Sequence, residues 1–234
     1  MKNAHAALKT AIAAKGVAVP EGTKLTDMPA LVEQISTEPV PTNPRAVFTY
    51  DTYSTSIVVP KTLVVDMLAV DDLTNCFYNC SALTSISLPE GFGSTAVDIG
   101  ACFYNCISLT SLTLPDGFGQ NATILSFNRL IGCFYNCKAL ESLHLPSGFG
   151  QKATSLVNCF SNCTALTTIT GNPNFKVSLN LSTCNKLTHD SIMVVINGLQ
   201  TVTEAQTLTL GSKNLVKLTE ADKKIATDKG WTLA

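Results

Sequence analysis

The chain has 234 residues, 45% hydrophobic and only 14% charged, with a net charge of -1. Charge at roughly half the usual quarter leaves Ser, Thr and Asn to cover the surface. With two arginines, Arg45 and Arg129, the chain lacks the clustered cations that a phosphate backbone demands, which excludes nucleic acid as a partner. No apolar run approaches the ~20 residues needed to span a bilayer.

Residues 1–37 read as two short helices. Ala4, Ala7, Leu8, Ala11 and Ile12 recur at helical spacing until Gly16 stops the pattern. Thr26 or Asp27 then caps a second helix, with Pro29 in its first turn and Leu31, Val32 and Ile35 on one face. So short an apolar stripe needs a partner to bury it. It marks 1–37 as a docking or oligomerisation module, attaching to other assembly subunits or to a second copy. Lys2, His5, Lys9 and Lys15 interrupt this region, which lacks the continuous apolar centre of a secretory signal. Residues 38–45 carry Pro39, Pro41 and Pro44, the composition of a semi-rigid linker. Residues 46–74 are rich in β-branched runs, among them Ser56-Ile57-Val58-Val59, and suit a β-rich cap over the segment that follows.

From 75 to 187 the chain repeats itself. Cys-Phe-Tyr-Asn-Cys begins at Cys76, Cys102 and Cys133, and Cys159 opens a fourth copy with Ser161 in place of Tyr. Successive starts differ by 102 − 76 = 26, 133 − 102 = 31 and 159 − 133 = 26 residues. Each copy continues to a Leu three residues on. The first three then reach Leu-Pro-x-Gly-Phe-Gly, as at Leu88 to Gly93. A period of this length means coils that cannot bury their apolar side alone and must stack, a solenoid with one parallel strand per coil. The fold class is therefore α+β. Residues 188–234 close the stack as a helix-strand-helix cap: a helix from Asp190, a strand near Thr207, and a last helix capped by Thr219.

The nine cysteines invite two chemical readings. Cys-x-x-x-Cys pairs suggest a thiolate metal site or a disulfide framework. Stacked coils instead place each cysteine beside its counterpart ~4.8 Å away, giving ladders of reduced thiols in a core. His5, His144 and His189 are scattered, so no cysteine gains a base to make it a nucleophile. No catalytic residue, metal or cofactor is expected. The Gly-Phe-Gly loops lack the following helix of a phosphate loop. They read as turns, with Phe92, Phe118, Phe149 and Phe175 forming a second ladder.

Two surfaces remain. The strand alternates Ser85, Ser87, Ser111, Thr113, Ser142, His144, Thr168 and Thr170 form a flat face of small hydroxyls, either a solvated sheet or a binding face. Tyr78, Tyr104 and Tyr135 form a stripe, either a packing ladder or a platform for a sugar or protein. Aligning Gln120 to Leu125 with Gln151 to Leu156 leaves Ser126-Phe127-Asn128-Arg129-Leu130 as an insertion on that side. Insertions in repeats emerge as loops, often on the working face. Phe127, Asn128 and Arg129 therefore join the three tyrosines as the candidate binding surface.

The pattern Cys-Phe-x-Asn-Cys-x-x-Leu-x-x-Ile/Leu-x-Leu-Pro resembles the BspA-like leucine-rich-repeat family, with Cys76, Cys102, Cys133 and Cys159 where that family usually has Ala. The resemblance implies a leucine-rich-repeat solenoid used for adhesion and host contact on bacterial or parasite surfaces, and no catalysis. Lys15-Gly16-Val17 through Leu25 resembles segments of phage and prophage tail or fibre proteins. The leading expectation is a tail-associated, fibre-like virion protein that binds a protein or surface glycan and is released by lysis. The alternative is a bacterial cell-surface adhesin.

Overall fold

A computed structural model describes residues 51–58, 72–124, 126–127 and 131–234. The helical module expected at 1–37, the linker at 38–45, and all of the β-rich cap except 51–58 and 72–74 lie outside the described residues.

Each copy of the repeat contributes a short strand. β1 (Ser56–Val58) pairs in parallel with β2 (Ser85–Ser87), and β3 (Ser111–Thr113) pairs with β6 (Ser142–Leu145), which pairs with β7 (Thr168–Gly171). The amide of Thr110 donates to the Thr84 carbonyl at 3.4 Å and joins β2 to β3. Register is like on like: Ile57 faces Ile86, Leu112 faces Leu143, and Leu143 faces Ile169. The central residues Leu112, Leu143 and Ile169 are buried. A slip by one residue would turn this apolar row out to solvent, which is what holds the register.

A second parallel track runs along another side of the coils, through the bridges Asp72–Asp98, Asp98–Ile124 and Ile124–Ser155. The third contact between coils is made by the pentapeptide itself. The Phe77 and Asn79 amides donate to the carbonyls of Cys102 and Tyr104, both at 2.7 Å. Phe103 and Asn105 donate to Cys133 and Tyr135, and Phe134 and Asn136 to Cys159 and Ser161. These bonds require the Asn to turn the chain into the left-handed region. Asn79, Asn105, Asn136 and Asn162 have φ of 60°, 59°, 64° and 63°. Asn tolerates this conformation far better than other residues bearing a Cβ. The Asn105 side-chain amide donates to Asn79 Oδ1 and that of Asn136 to Asn105 Oδ1, so the turn is stitched by side chains as well.

Inside, two rows of phenyl rings run along the stack. Phe77, Phe103, Phe134 and Phe160 follow one another at 5.1, 5.8 and 5.4 Å between ring centres, near parallel. Phe92 stacks on Phe118 at 6.1 Å, and Phe149 meets Phe175 edge-on at 6.3 Å. All eight are buried, each worth about 1.5–3 kcal/mol against exposure. The second glycine of Gly-Phe-Gly lets the rows close. A Cβ on Gly119, at φ +70°, would sit 2.8 Å from a Phe149 ring carbon.

All nine cysteines are buried free thiols. Four thiols reach back one coil: Cys106 Sγ to the Phe77 carbonyl at 3.2 Å, Cys137 to Phe103 and Cys163 to Phe134 at 3.1 Å, and Cys184 to Phe160 at 3.4 Å. Burial pushes Cys106 and Cys133 well above the ordinary thiol range, and Cys159 up to about 12. A hydrogen bond with the Cys137 thiol raises Cys163, and one with Cys163 raises Cys184. Burial likewise pushes Cys102 up, against the opposing pull of hydrogen bonds with the Cys133 and Cys76 thiols. No lysine, arginine or histidine contributes there. A buried thiolate without a cation is too costly to persist, so this rung too is a neutral thiol.

Beyond β7 the architecture changes. α1 (His189–Asn197) lies against the edge of β7, where Ser191 Oγ accepts the Ile169 amide and donates to the Thr167 carbonyl, both at 3.0 Å. One buried hydroxyl thus occupies groups that would otherwise invite another strand. β8 (Leu179–Asn180), β9 (Gln206–Thr209) and β10 (Trp231–Leu233) form a second parallel sheet in the order β10-β9-β8. α2 (Ser212–Leu215) and α3 (Glu220–Asp228) connect its last two strands. Thr219 caps α3 through a reciprocal box with Asp222. Trp231 is buried, and its indole N–H donates to the Gln200 carbonyl at 2.8 Å.

Two predictions follow from the turn and the thiols. Asn105→Ala removes both side-chain bonds and strains the left-handed backbone, for a cost of about 2–3 kcal/mol. Asn105→Gly restores the backbone and costs about 1 kcal/mol less, a ranking that denaturant melts measure. The folded protein should resist an aromatic disulfide reagent, whereas the denatured protein returns all nine thiols.

Candidate functional site

The left-handed Asn sends its preceding Tyr to the outside of the stack. Tyr78 and Tyr104 lie face to face at 4.5 Å with 12° between planes, and Tyr104 and Tyr135 at 5.3 Å with 14°. All three are half-buried. The rings are therefore a packing ladder that keeps part of its surface in contact with solvent, their faces stacked on each other. The Asn79–Asn105–Asn136 chain of amide bonds runs directly beside them. The same position holds Ser161 in the fourth coil, so the aromatic row ends at Tyr135.

The five-residue insertion lies in the coil of Tyr135. It leaves the stack as an antiparallel hairpin, β4 (Ser126–Phe127) with β5 (Ile131–Gly132), pairing Ser126 with Gly132 and Phe127 with Ile131. The coils on either side keep their register, since Ile124 still bridges Ser155. Gly132 is pressed against the next coil, where a Cβ would come within 2.2 Å of the Cys159 Cα. Phe127 thus sits on a hairpin strand, while Asn128 and Arg129 lie outside the described residues. Near the hairpin base, Ile124 and Val157 are 42% and 49% exposed, an apolar border the sequence reading did not single out.

The strand face is laid out otherwise. Ser85, Ser87, Ser111, Thr113 and Thr170 are exposed, and Ser142, His144 and Thr168 half-exposed. Within this face His144 Nδ1 and Thr170 Oγ1 lie at hydrogen-bond distance, 3.0 Å. Ser85 lies in the sheet and Tyr78 in the turn of the same coil, so the hydroxyls and the tyrosines occupy different parts of each coil. Among the described residues, no group of three or more His, Cys, Asp or Glu side chains is placed to hold a metal ion. Nor is any described helix long and apolar enough to cross a membrane.

The sequence reading missed two features. The asparagine row had a visible signal, the same residue at one position of every pentapeptide, with its left-handed turn as the physical reason. The clasp of His189 on Asp222, at 3.1 Å, joins positions 33 residues apart and had none.

Residues 72–189 match the family model for the BspA type leucine rich repeat region, in six copies. No curated protein matches the chain. A leucine rich cell surface protein from Faecalibacterium prausnitzii A2-165 is 27% identical over 58% of this chain and 29% of its own, with a TM-score of 0.36. A leucine-rich repeat protein from Bacteroides ovatus is 18% identical over 72% of this chain and 46% of its own, with a TM-score of 0.24. The chain thus spans less than half the length of either protein. With the matched residues covering half of its length and the parallel coils formed by that same stretch, the chain belongs to the BspA-type leucine-rich-repeat family.

Proposed function

We propose that this protein is a non-catalytic adhesin of a bacterial cell surface. Its repeats form a leucine-rich-repeat solenoid closed by residues 188–234, and it recognises a protein or surface glycan on the side bearing Tyr78, Tyr104 and Tyr135. The observation that carries this reading is the coincidence of three asymmetries in one place. The aromatic row ends at Tyr135, the hairpin carrying Phe127 rises from the same coil, and Ile124 and Val157 stay exposed near its base. Stacked rings of low side-chain entropy and an arginine contribute disproportionately at interfaces, and the insertion brings one of the chain's two arginines, Arg129. The strand face from Ser85 to Thr170 offers small hydroxyls and one histidine, His144, and serves as the comparison surface. In the same reading residues 1–37 dock to other subunits or a second copy, with 38–45 as the tether and 46–74 as the N-terminal cap.

The tail-fibre reading finds no support in the fold or in the family match. Its residues, within 1–37, lie outside both. A surface location accords with the family's implied role in adhesion.

Fluorescently labelled protein incubated with epithelial cells and with bacterial cells provides the test. Tyr104→Ala with Tyr135→Ala, or deletion of Ser126 to Leu130, should lower attachment about tenfold or more, the loss of one or two interface hot spots. Ser111→Ala with Thr113→Ala should leave it within about twofold, as small hydroxyl contacts at a rim do. Attachment that survives the first changes and fails with the second places recognition on the sheet.

A further inference from the structure

α1 and α3 are joined at both ends. At the N-terminal ends, His189, the first residue of α1, meets Asp222 of α3 with Nε2···Oδ2 at 3.1 Å, while its Nδ1 lies 3.3 Å from Oδ1 of Asp190. At the C-terminal ends, the ammonium of Lys229, the residue that caps α3, donates to the carbonyls of Ile196 at 3.1 Å and Asn197 at 2.7 Å. The second clasp adds an ammonium donor to the last-turn carbonyls of α1, where Ile196 also accepts the Leu199 amide at 3.2 Å.

The two clasps differ in chemistry. A protonated imidazole donates from both nitrogens and satisfies Asp222 and Asp190 together. A neutral one carries a single N–H, so one carboxylate then faces a lone pair. Asp222 Oδ2 already accepts the Thr219 amide at 2.8 Å and the Thr219 hydroxyl at 2.7 Å, so the histidine bears on the residue that starts α3. Lysine keeps its charge far above the range in which histidine titrates.

We propose that His189 is a pH-sensitive clasp: protonated, it pins the first turn of α3 to α1, and its deprotonation loosens that turn while the Lys229 clasp holds the other end. The hydrogen bond with Asp222, followed by that with Asp190, raises the His189 pKa above the ordinary 6.5. The Thr219 hydroxyl, the Thr219 amide and His189 together hold Asp222 down at about 2. The other charges facing this corner do not supply a competing proton acceptor. Glu220 of α3 is paired with Lys223 at 2.7 Å. Lys217, between α2 and α3, has its ammonium on the Leu187 carbonyl two residues before His189, where it opposes the imidazolium without cancelling two carboxylates. The sign follows from the raised pKa. The contribution is whole below 6.5, where the unfolded histidine is also protonated, and is lost as pH rises through the higher folded value. Because His189 is about half exposed, with its side chain at 46%, the effect is local and salt-sensitive.

The test is paired, on the intact chain. Proton NMR titration of His189 should give a pKa above 6.5, and Asp222→Asn should lower it towards that value. Protection factors of the Asp222 and Lys223 amides, which bond the Thr219 hydroxyl and carbonyl, should fall roughly two- to fivefold between pH 5.5 and pH 8.5, the range an exposed ion pair spans. Those of 226–229 should hold. His189→Gln, which keeps a neutral side chain of similar reach, should remove the pH dependence without unfolding the domain. A His189 pKa at or below 6.5, or equal loss of protection at both ends of α3, overturns the clasp. If His189→Gln or Asp222→Asn fails to fold, the unsubstituted chain's titration and protection profile still decides.

Discussion

Each coil of this protein is held by the backbone of the next, and that constraint governs everything else in it. The amides of Phe77, Asn79, Phe103, Asn105, Phe134 and Asn136 all donate forward one coil. A residue at a given position therefore meets its own counterpart, phenyl on phenyl, thiol beside thiol and amide on amide. The identity of each position is then selected by whether the residue stacks on itself. Phenyl rings do, and so do half-buried tyrosines. Small thiols do as well, filling core volume while handing a weak donor to a carbonyl one coil away. Like charges would repel along such a row; the described repeat places them at Glu90 and Asp116, both exposed, and at Asp72 and Asp98. In the latter pair each Oδ1 accepts an amide two residues on, from Thr74 and Gly100.

This constraint explains why so much was legible beforehand. The spacing of Cys76, Cys102, Cys133 and Cys159 already implied stacking, and stacking implied reduced thiol ladders, a buried phenylalanine row and one parallel strand per coil. The insertion after Leu125 was equally visible as a break in the period. What did not show was its form. Two-residue strands carry too little pattern to separate a hairpin from a loop, and only the pairing of Phe127 with Ile131 reveals it. The tyrosine stripe posed a different difficulty. Sequence offered packing or exposure as alternatives, whereas a ring at the rim of a stack does both.

The C-terminal region was legible in its elements and opaque in its contacts. Helical spacing located α1 and α3, and Thr219 announced its own cap. Nothing local announced that Ser191 closes the edge of β7, or that α3 grips α1 at both ends, because these are contacts between residues 22 to 33 positions apart with no repeat to advertise them. Repetition makes distant contacts readable, and its end makes them private to the three-dimensional structure.

The repeated surface presents the same chemistry at every rung, and it changes at Ser161 and at the hairpin of Phe127. All of it depends on the forward backbone bonds of the pentapeptide. Native-state amide exchange measures them one by one. Phe77, Asn79, Phe103, Asn105, Phe134 and Asn136 should exchange only through the largest opening of the repeat, with one common free energy. Fast, independent exchange at these six amides under native conditions would contradict the stacking from which the fold, the tyrosine row and the displayed hairpin are derived.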